Sequence, residues 1–292
     1  LRSNTNLNHS SFTIHHSSKN MEDPMFFKTV DFSRYSSIKI GPVAEVAVIE
    51  KSDEIPADRF LIGGANNLLI SPTPPPLMML GKDFDYCRIE GKSLEIGAAT
   101  PTGKILSFAR KHDLAGFEFV AKLPGTLGGM LAMNAGVKEY EVFNILESIK
   151  IGNAWIPAEA IDHGYRFARL PGVAVAARFP LRRGYDDALR RELLQLRKNQ
   201  SKEPSAGSAF KNPPGDYAGR LIEAAGLKGY RLGGMAWSEM HANFLVNLGN
   251  GTYDEAITLI ELAKRKVYEA FGIRLEEEIR IVDNRVTDFT WV

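Results

Sequence analysis

Residues 205–213 read Ser205-Ala206-Gly207-Ser208-Ala209-Phe210-Lys211-Asn212-Pro213. The small residues Ser205, Ala206 and Gly207 allow a tight turn and a close approach of the backbone to a ligand, while Ser208 and Asn212 place polar groups beside the apolar Phe210. Pro213 and Pro214 end any helix or central strand, so the stretch is expected to display its polar groups on a loop. By itself it also suits a surface turn ahead of a helix. The flanking chain has to decide.

Downstream, a short helix is expected over 217–225, stopping at Gly226, and a strand over 243–248. Thr252 and Glu255 have capping-box spacing for a long helix to Phe271, where Gly272 is the expected stop, and 279–282 reads as a last strand. Upstream, 182–197 reads as a mixed-charge helix with Leu189, Leu193 and Leu196 on one face. Strands are expected at 145–151 and 173–179, with Gly164-Tyr165-Arg166 on their connection. Nearer the start, strands at 46–49, 60–62 and 68–70 enclose the glycine loop Gly63-Gly64-Ala65-Asn66-Asn67. Its paired glycines suit an anion-binding loop and an ordinary tight turn equally well. Further strands are expected at 77–80, 86–90 and 94–97, then a helix over 101–112 with Thr100 as N-cap and Pro101 in its first turn. The segment Leu123-Pro124-Gly125-Thr126-Leu127-Gly128-Gly129 precedes a short helical stretch. Unpaired N–H groups there would attract phosphate oxygens, although a structural glycine-rich connection reads the same way.

Short strands interleaved with helices, without a repeat, argue for α+β organisation in more than one lobe, with the polar segment 182–204 as boundary. The 292 residues, 44% hydrophobic and 24% charged, have ordinary globular composition. Thirty-six Lys and Arg against 35 Asp and Glu leave a formal charge of +1. No global field therefore argues for nucleic acid or an anionic membrane. Cys87 is the single cysteine, so an internal disulfide is excluded and a reducing compartment fits. No apolar run approaches the roughly 18 residues of a membrane span. Residues 1–24 are polar and excluded from the fold, with Met21 or Met25 a sensible start, and their removal is expected to leave function intact. The glycosylation-type tripeptides at Asn8, Asn199 and Asn250 carry no weight. No Gly-x-Gly-x-x-Gly follows a strand, and Gly97 to Lys104 misses the P-loop spacing, with Ile105 where a metal-binding hydroxyl belongs. The histidines form no ligand cluster, so no metal is implied.

Taken in order, the loops resemble one family, UDP-N-acetylenolpyruvoylglucosamine reductase, over about residues 25–283. Ser36-Ser37-Ile38-Lys39-Ile40-Gly41 resembles its entry segment. Gly63 to Asn67 is similar to its first flavin loop, with Ala65 and Asn66 in place of the usual Gly and Ser. Residues 123–129 with Met133-Asn134-Ala135-Gly136 resemble its second flavin block. Tyr165-Arg166 matches its Tyr-Arg, although Ala168 stands where a Ser is expected. Residues 205–213 resemble its catalytic-serine loop, and Ser238-Glu239 with His241-Ala242-Asn243-Phe244 the block after it. Gly272 to Glu278 resembles the terminal block, with Glu277 where a Pro is common.

The resemblance implies an α+β protein with a vanillyl-alcohol-oxidase-type FAD-binding fold of two subdomains plus an α+β substrate-binding domain. The expected division is 25–75 joined by the returning strand 276–283, then 76–181, then 182–275, with 284–292 as a tail. It implies bound FAD, NADPH as hydride donor, and the substrate UDP-N-acetylglucosamine enolpyruvate, reduced to UDP-N-acetylmuramate for peptidoglycan in the cytoplasm by a monomer. Arg166, Ser208 and Glu278 are the implied catalytic residues. Gly63, Gly64, Ala65, Asn66, Asn67, Pro124, Gly125, Thr126, Gly128, Gly129, Asn134 and Gly136 would contact the cofactor. Tyr165, Lys211 and Asn212 would contact substrate, and His241 is equally a packing residue. The rival readings are another flavoenzyme of the same fold, which has no use for a Ser208 proton, and a non-catalytic nucleotide-binding module, which needs neither an acid nor a charge stabiliser.

Overall fold

The computed structural model describes residues 26–52, 55–196 and 201–285. The tail at 1–24, the starts Met21 and Met25, Asn199 and all but the first two residues of 284–292 lie outside these ranges.

A first sheet contains β1 (Phe26–Asp31), followed by the short helix α1 (Phe32–Tyr35), then β2 (Val43–Ile49), β3 (Phe60–Leu61) and β5 (Leu77–Leu80), in the order β1-β2-β5-β3. Between β3 and β5 the chain forms β4 (Leu68–Ile70), which pairs in parallel with β19 (Arg280–Val282) from the far end of the sequence. The expected break after residue 75 does not fall at a sheet edge, because β5 hydrogen-bonds into this sheet between β2 and β3. Leu77 and Met78 are buried there, covered on both faces of the strand.

The second sheet is antiparallel, in the order β11-β10-β14-β7-β6, from β6 (Cys87–Glu90), β7 (Ser93–Gly97), β10 (Ser148–Ile151), β11 (Ala154–Pro157) and β14 (Ala174–Pro180). Helices α2 (Thr102–Lys111) and α3 (Leu127–Ala132) contribute Ile105, Ala109, Met130 and Leu131 to the core around it. Two short hairpins project from this region, β8 (Gly136–Val137) with β9 (Tyr140–Glu141), and β12 (His163–Gly164) with β13 (Phe167–Ala168). Thr100 is not the N-cap of α2. It is fully buried, and its hydroxyl donates to the Tyr86 carbonyl at 3.0 Å, so Pro101 becomes the boundary residue.

The third sheet runs β15-β18-β17-β16, from β15 (Ser205–Ser208), β16 (Arg231–Leu232), β17 (Met235–Trp237) and β18 (Phe244–Asn247), with α5 (Ala218–Ala224) and α6 (Tyr253–Phe271) around it, whereas α4 (Asp187–Leu196) packs Leu189 and Leu193 into the core of the second sheet. Residues 205–208 are thus an edge strand and not the expected loop. They pair with β18 at Ser205–Val246 and Ser208–Phe244, and the register slips between these pairs, where Gly207 takes φ +81°. The small residues permit this irregular pairing, and the prolines do end it. The sequence signals of α6 are realised. Thr252 Oγ1 accepts from the Glu255 N–H, the Glu255 carboxylate accepts from the Thr252 N–H, and Gly272 closes the helix at φ +68°. Its buried stripe Leu259, Ile260 and Val267 lies in one core with Trp237, Leu245, Ile38, Ile40 and Leu69, each large side chain contributing about 1.5–3 kcal/mol by its removal from water. That core ties the third sheet to β4 and fixes where β19 returns. No helix among the described residues is long and apolar enough to cross a membrane.

Candidate active site

The three sheets enclose a cavity of about 1030 Å³. One wall is the loop 63–67 between β3 and β4. Asn66 pins this loop from within, its Nδ2 donating to the Gly64 carbonyl at 3.0 Å and its Oδ1 accepting from Ser37 Oγ at 2.5 Å. Ala65 sits at φ +49°, a left-handed conformation that a side chain rarely adopts. None of the amides of Gly63, Gly64, Ala65, Asn66 and Asn67 bonds to another described residue. Five N–H groups without a described partner, on a loop that lines the cavity, suit a cradle for an anion.

The opposite wall is Pro124-Gly125-Thr126 and the start of α3. The two walls abut, since a Cβ on Gly64 would lie 3.0 Å from the Gly125 Cα, while Gly125 itself holds φ +108°. The expectation of free amides at the start of α3 is not met. Leu127 N donates to the Thr100 carbonyl, Gly128 N to the Ala98 carbonyl, and Gly129 N faces Thr126 Oγ1 at 3.5 Å. These bonds dock α3 on the second sheet. Gly128 and Gly129 line the cavity as backbone surface, where a Cβ on Gly128 would press to 3.2 Å from the Ala98 carbonyl oxygen.

Arg166 in the β12–β13 turn, Ser208 at the end of β15 and Glu278 just ahead of β19 line this same cavity. Arg166 occupies the turn between β12 and β13 at φ +62°, with Nε 3.1 Å from Glu278 Oε1 and Nη2 donating to the Gly136 carbonyl at 3.2 Å. Its Nη1 is buried and has no hydrogen-bond partner. Glu278 is held through its backbone. Its N–H donates to the Ala209 carbonyl, its own carbonyl accepts from Asn67 Nδ2 at 2.8 Å, and two residues on Arg280 N donates to the Asn67 carbonyl. Asn67 therefore joins the first loop to the terminal strand, and Ala209 joins that strand to Ser208. Burial pushes the Glu278 carboxyl above its usual range, outweighing the opposing charges of Arg166 and Lys211. The Ser208 hydroxyl makes no hydrogen bond to a described residue and is free to serve a ligand.

The C-terminal domain of UDP-N-acetylenolpyruvoylglucosamine reductase matches residues 199–282. The chain is 48% identical over 258 residues to the UDP-N-acetylenolpyruvoylglucosamine reductase of one Helicobacter pylori strain, covering 88% of this chain and 100% of that protein. The chain belongs to the UDP-N-acetylenolpyruvoylglucosamine reductase family. The member from a Campylobacter jejuni strain is 45% identical over 87% of this chain and 99% of its own length. The crystal structure of the Thermus caldophilus reductase superposes with a TM-score of 0.76 at 31% identity, covering 89% of this chain and 100% of that one. The fold class is accordingly α+β, the vanillyl-alcohol-oxidase type with an added α+β domain.

Within this reductase fold, several residues expected at the site stand one step back from the cavity. Asn134 is almost fully buried and spends its side chain internally: Nδ2 donates to Glu141 Oε2 at 2.8 Å and to the Gly164 carbonyl at 3.0 Å, and Oδ1 accepts from Phe143 N. Tyr165 stacks on the Arg166 guanidinium at 5.0 Å outside the cavity wall, and Lys211 is engaged by Glu276 at 2.6 Å. Asn212 does line the cavity, while its Oδ1 accepts from the first amide of α5, Ala218 N, at 3.1 Å. His241 lines it as well. Its Nδ1 accepts from Asn243 N at 3.2 Å, and burial lowers its pKa, so the ring is a neutral surface.

Residue-by-residue reading missed the cavity's other cations. Arg59, Lys122, Lys138 and Arg280 join Arg166 around the lone lining carboxylate of Glu278. Arg280 faces no carboxylate among the described residues, and burial lowers its pKa to about 10. Its signal was its place two residues after Glu278 in an extended segment, which returns to the same side of the chain. No group of three or more His, Cys, Asp or Glu among the described residues could hold a metal ion.

Proposed function

We propose that this chain is a flavoenzyme reducing UDP-N-acetylglucosamine enolpyruvate to UDP-N-acetylmuramate for peptidoglycan synthesis, with NADPH as hydride donor. The observation that carries the reading is the convergence of Arg166, Glu278 and Ser208 on one cation-lined cavity beside the unpaired amides of 63–67. Those amides, the abutting Gly64 and Gly125, and the orphan Nη1 of Arg166 fit a phosphate-bearing flavin and an anionic substrate. Gly63, Gly64, Ala65, Asn66 and Asn67 would hold FAD from one side and Pro124, Gly125, Thr126, Gly128, Gly129 and Gly136 from the other. The family's domain plan fits if the first flavin-binding unit extends through Leu80. In this reading the protein works as a cytoplasmic monomer.

When bound, FAD reduced by NADPH supplies hydride for the methylene carbon, C3, of the enolpyruvyl group. The carbon–carbon double bond becomes single as its electron pair moves to C2, and Ser208 delivers a proton there. A serine hydroxyl is a weak acid, but an enolate-like carbon is a strong base and needs only a well-placed proton. Arg166 offers fixed, directional donors to the charge developing on C2 and the adjacent carboxylate, in a site where burial strengthens them. Glu278, whose burial favours the protonated form, donates a hydrogen bond to the same charge. Asn212 contacts the substrate, with Tyr165 and Lys211 fixing Arg166 and the Glu276 side of the cleft. An absorption spectrum tests the whole reading: yellow protein should bleach with NADPH and recover with the enolpyruvyl nucleotide sugar. Colourless protein, or recovery with oxygen alone, overturns it.

A further inference from the structure

Arg166 has two carboxylates around it, and only one has entered the chemistry so far. Glu141, at the end of β9, places Oε1 3.9 Å from Arg166 Nη1, and both side chains are about one-fifth exposed, at 21% and 20%. Its other oxygen is fixed by Asn134 Nδ2 at 2.8 Å, and the same nitrogen holds the Gly164 carbonyl at 3.0 Å, at the base of the turn that carries Arg166. One buried amide therefore sets the carboxylate and the arginine relative to each other. Arg166 holds φ +62° in this turn, a conformation that residues other than glycine seldom adopt, and Asn134, in the loop after α3, holds φ +40°.

Arg59, Lys122, Lys138 and Arg280 line the cavity together with Glu278. Arg166 meets Glu141 from β9, Glu278 ahead of β19 and the Tyr165 ring from its own turn; Glu278 meets Arg166 and Lys211. Were Glu278 the only carboxylate at the guanidinium, pairing would draw off its proton. A second carboxylate, locked by Asn134 with Oε1 3.9 Å from Nη1, offsets part of that pull, while Glu278 Oε1 at 3.1 Å from Nε stays the nearer partner.

Building on the function proposed above, we propose that Glu141, held by Asn134, is the standing counterion of Arg166, a positioning residue whose charge lets Glu278 keep the proton it offers to the substrate. Glu141 touches no reacting atom in this scheme. It acts through Arg166.

The test is the pH profile of flavin reoxidation by the enolpyruvyl substrate, read with the infrared band of the protonated carboxyl in the holoenzyme. Glu141→Gln keeps an oxygen for Asn134 but removes the charge, so the limb on which reoxidation falls with rising pH should move down by about one unit, the lower end of what a close charge does. The protonated-carboxyl band should shrink at fixed pH by the corresponding amount. Glu141→Ala should shift the limb the same way, and Glu141→Asp, which retains the charge, should stay nearer to wild type. A limb and band unmoved in Glu141→Gln and Glu141→Ala, or moved equally in Glu141→Asp, overturns the proposal. Glu278→Gln separates this from failure of the underlying function: if it flattens the limb while Glu141→Gln leaves it in place, Glu141 alone is wrongly assigned, and if it changes nothing, the role of Glu278 fails as well.

Discussion

Arg166 Nε stands 3.1 Å from Glu278 Oε1, although the two residues belong to a mid-chain turn and to the last strand connection. The carboxyl is buried beside a cation and still has its pKa raised, because loss of water outweighs the arginine. In the proposed reaction, a carboxyl that keeps its proton beside a guanidinium would give two hydrogen-bond donors to an anionic transition state.

Substrate reduction should therefore weaken with alkali. As pH rises through the raised pKa of Glu278, flavin reoxidation should fall, and Glu278→Gln should remove that limb because its amide stays neutral. The sign for stability follows: a carboxyl with a raised folded pKa favours the fold below its unfolded value and loses that contribution as pH rises through the folded one. Thermal midpoints of wild type and Glu278→Gln between weakly acid and alkaline pH should diverge accordingly, and parallel curves would show an ionised Glu278.

Ser208→Ala should separate the two half-reactions. Reduction of flavin by NADPH uses no proton from Ser208 and should be nearly unchanged, whereas reoxidation should slow by on the order of 10² to 10⁴, the usual contribution of a positioned proton donor. Stopped-flow flavin absorbance reads both steps. Equal slowing would point to a disturbed flavin site, and normal reoxidation would remove Ser208 from the mechanism.

Flavin content should depend on the two abutting backbone walls. A side chain at Gly64 would collide with Asn66 Nδ2 and press on Gly125 Cα, and one at Gly128 would press on the Ala98 carbonyl, so Gly64→Val and Gly128→Val should lose flavin. Gly103, in α2, has open space around it, and Gly103→Ala should keep full flavin and gain up to about 1 kcal/mol of helix stability. Full occupancy in a folded Gly128→Val protein would count against the assignment.

Glu95 anchors the second sheet. It is nearly fully buried, and burial would raise its pKa, but hydrogen bonds from Tyr86, Arg88 and Arg178 at 2.9, 2.7 and 3.1 Å prevail and lower it. Its stabilisation is thus present above the unfolded value and lost as pH falls through the folded one. Glu95→Gln should cost ~1–2 kcal/mol at neutral pH, discounted because Arg88 is half exposed. Melting curves should show that gap closing in acid; a constant gap would mean that Glu95 is not ionised.

The sequence alone determined the local elements whose signals lie within a few residues: the capping box and glycine stop of α6, the turn at Gly63 to Asn67, and the order of blocks that marks the reductase family. Capping, backbone conformation and hydrophobic spacing act between near neighbours, so they can be read along the chain. The tertiary structure decided what depends on distant partners. Ser205 to Ser208 became a strand because β18 lay beside it, and the α3 amides were taken by Ala98 and Thr100. Asn134 turned inward to Glu141 and Gly164, and Arg280 entered the cavity because β19 pairs with β4. Pairing, burial and the pKa of Glu278 are set by which surfaces lose water together, and only the folded chain brings those surfaces into contact.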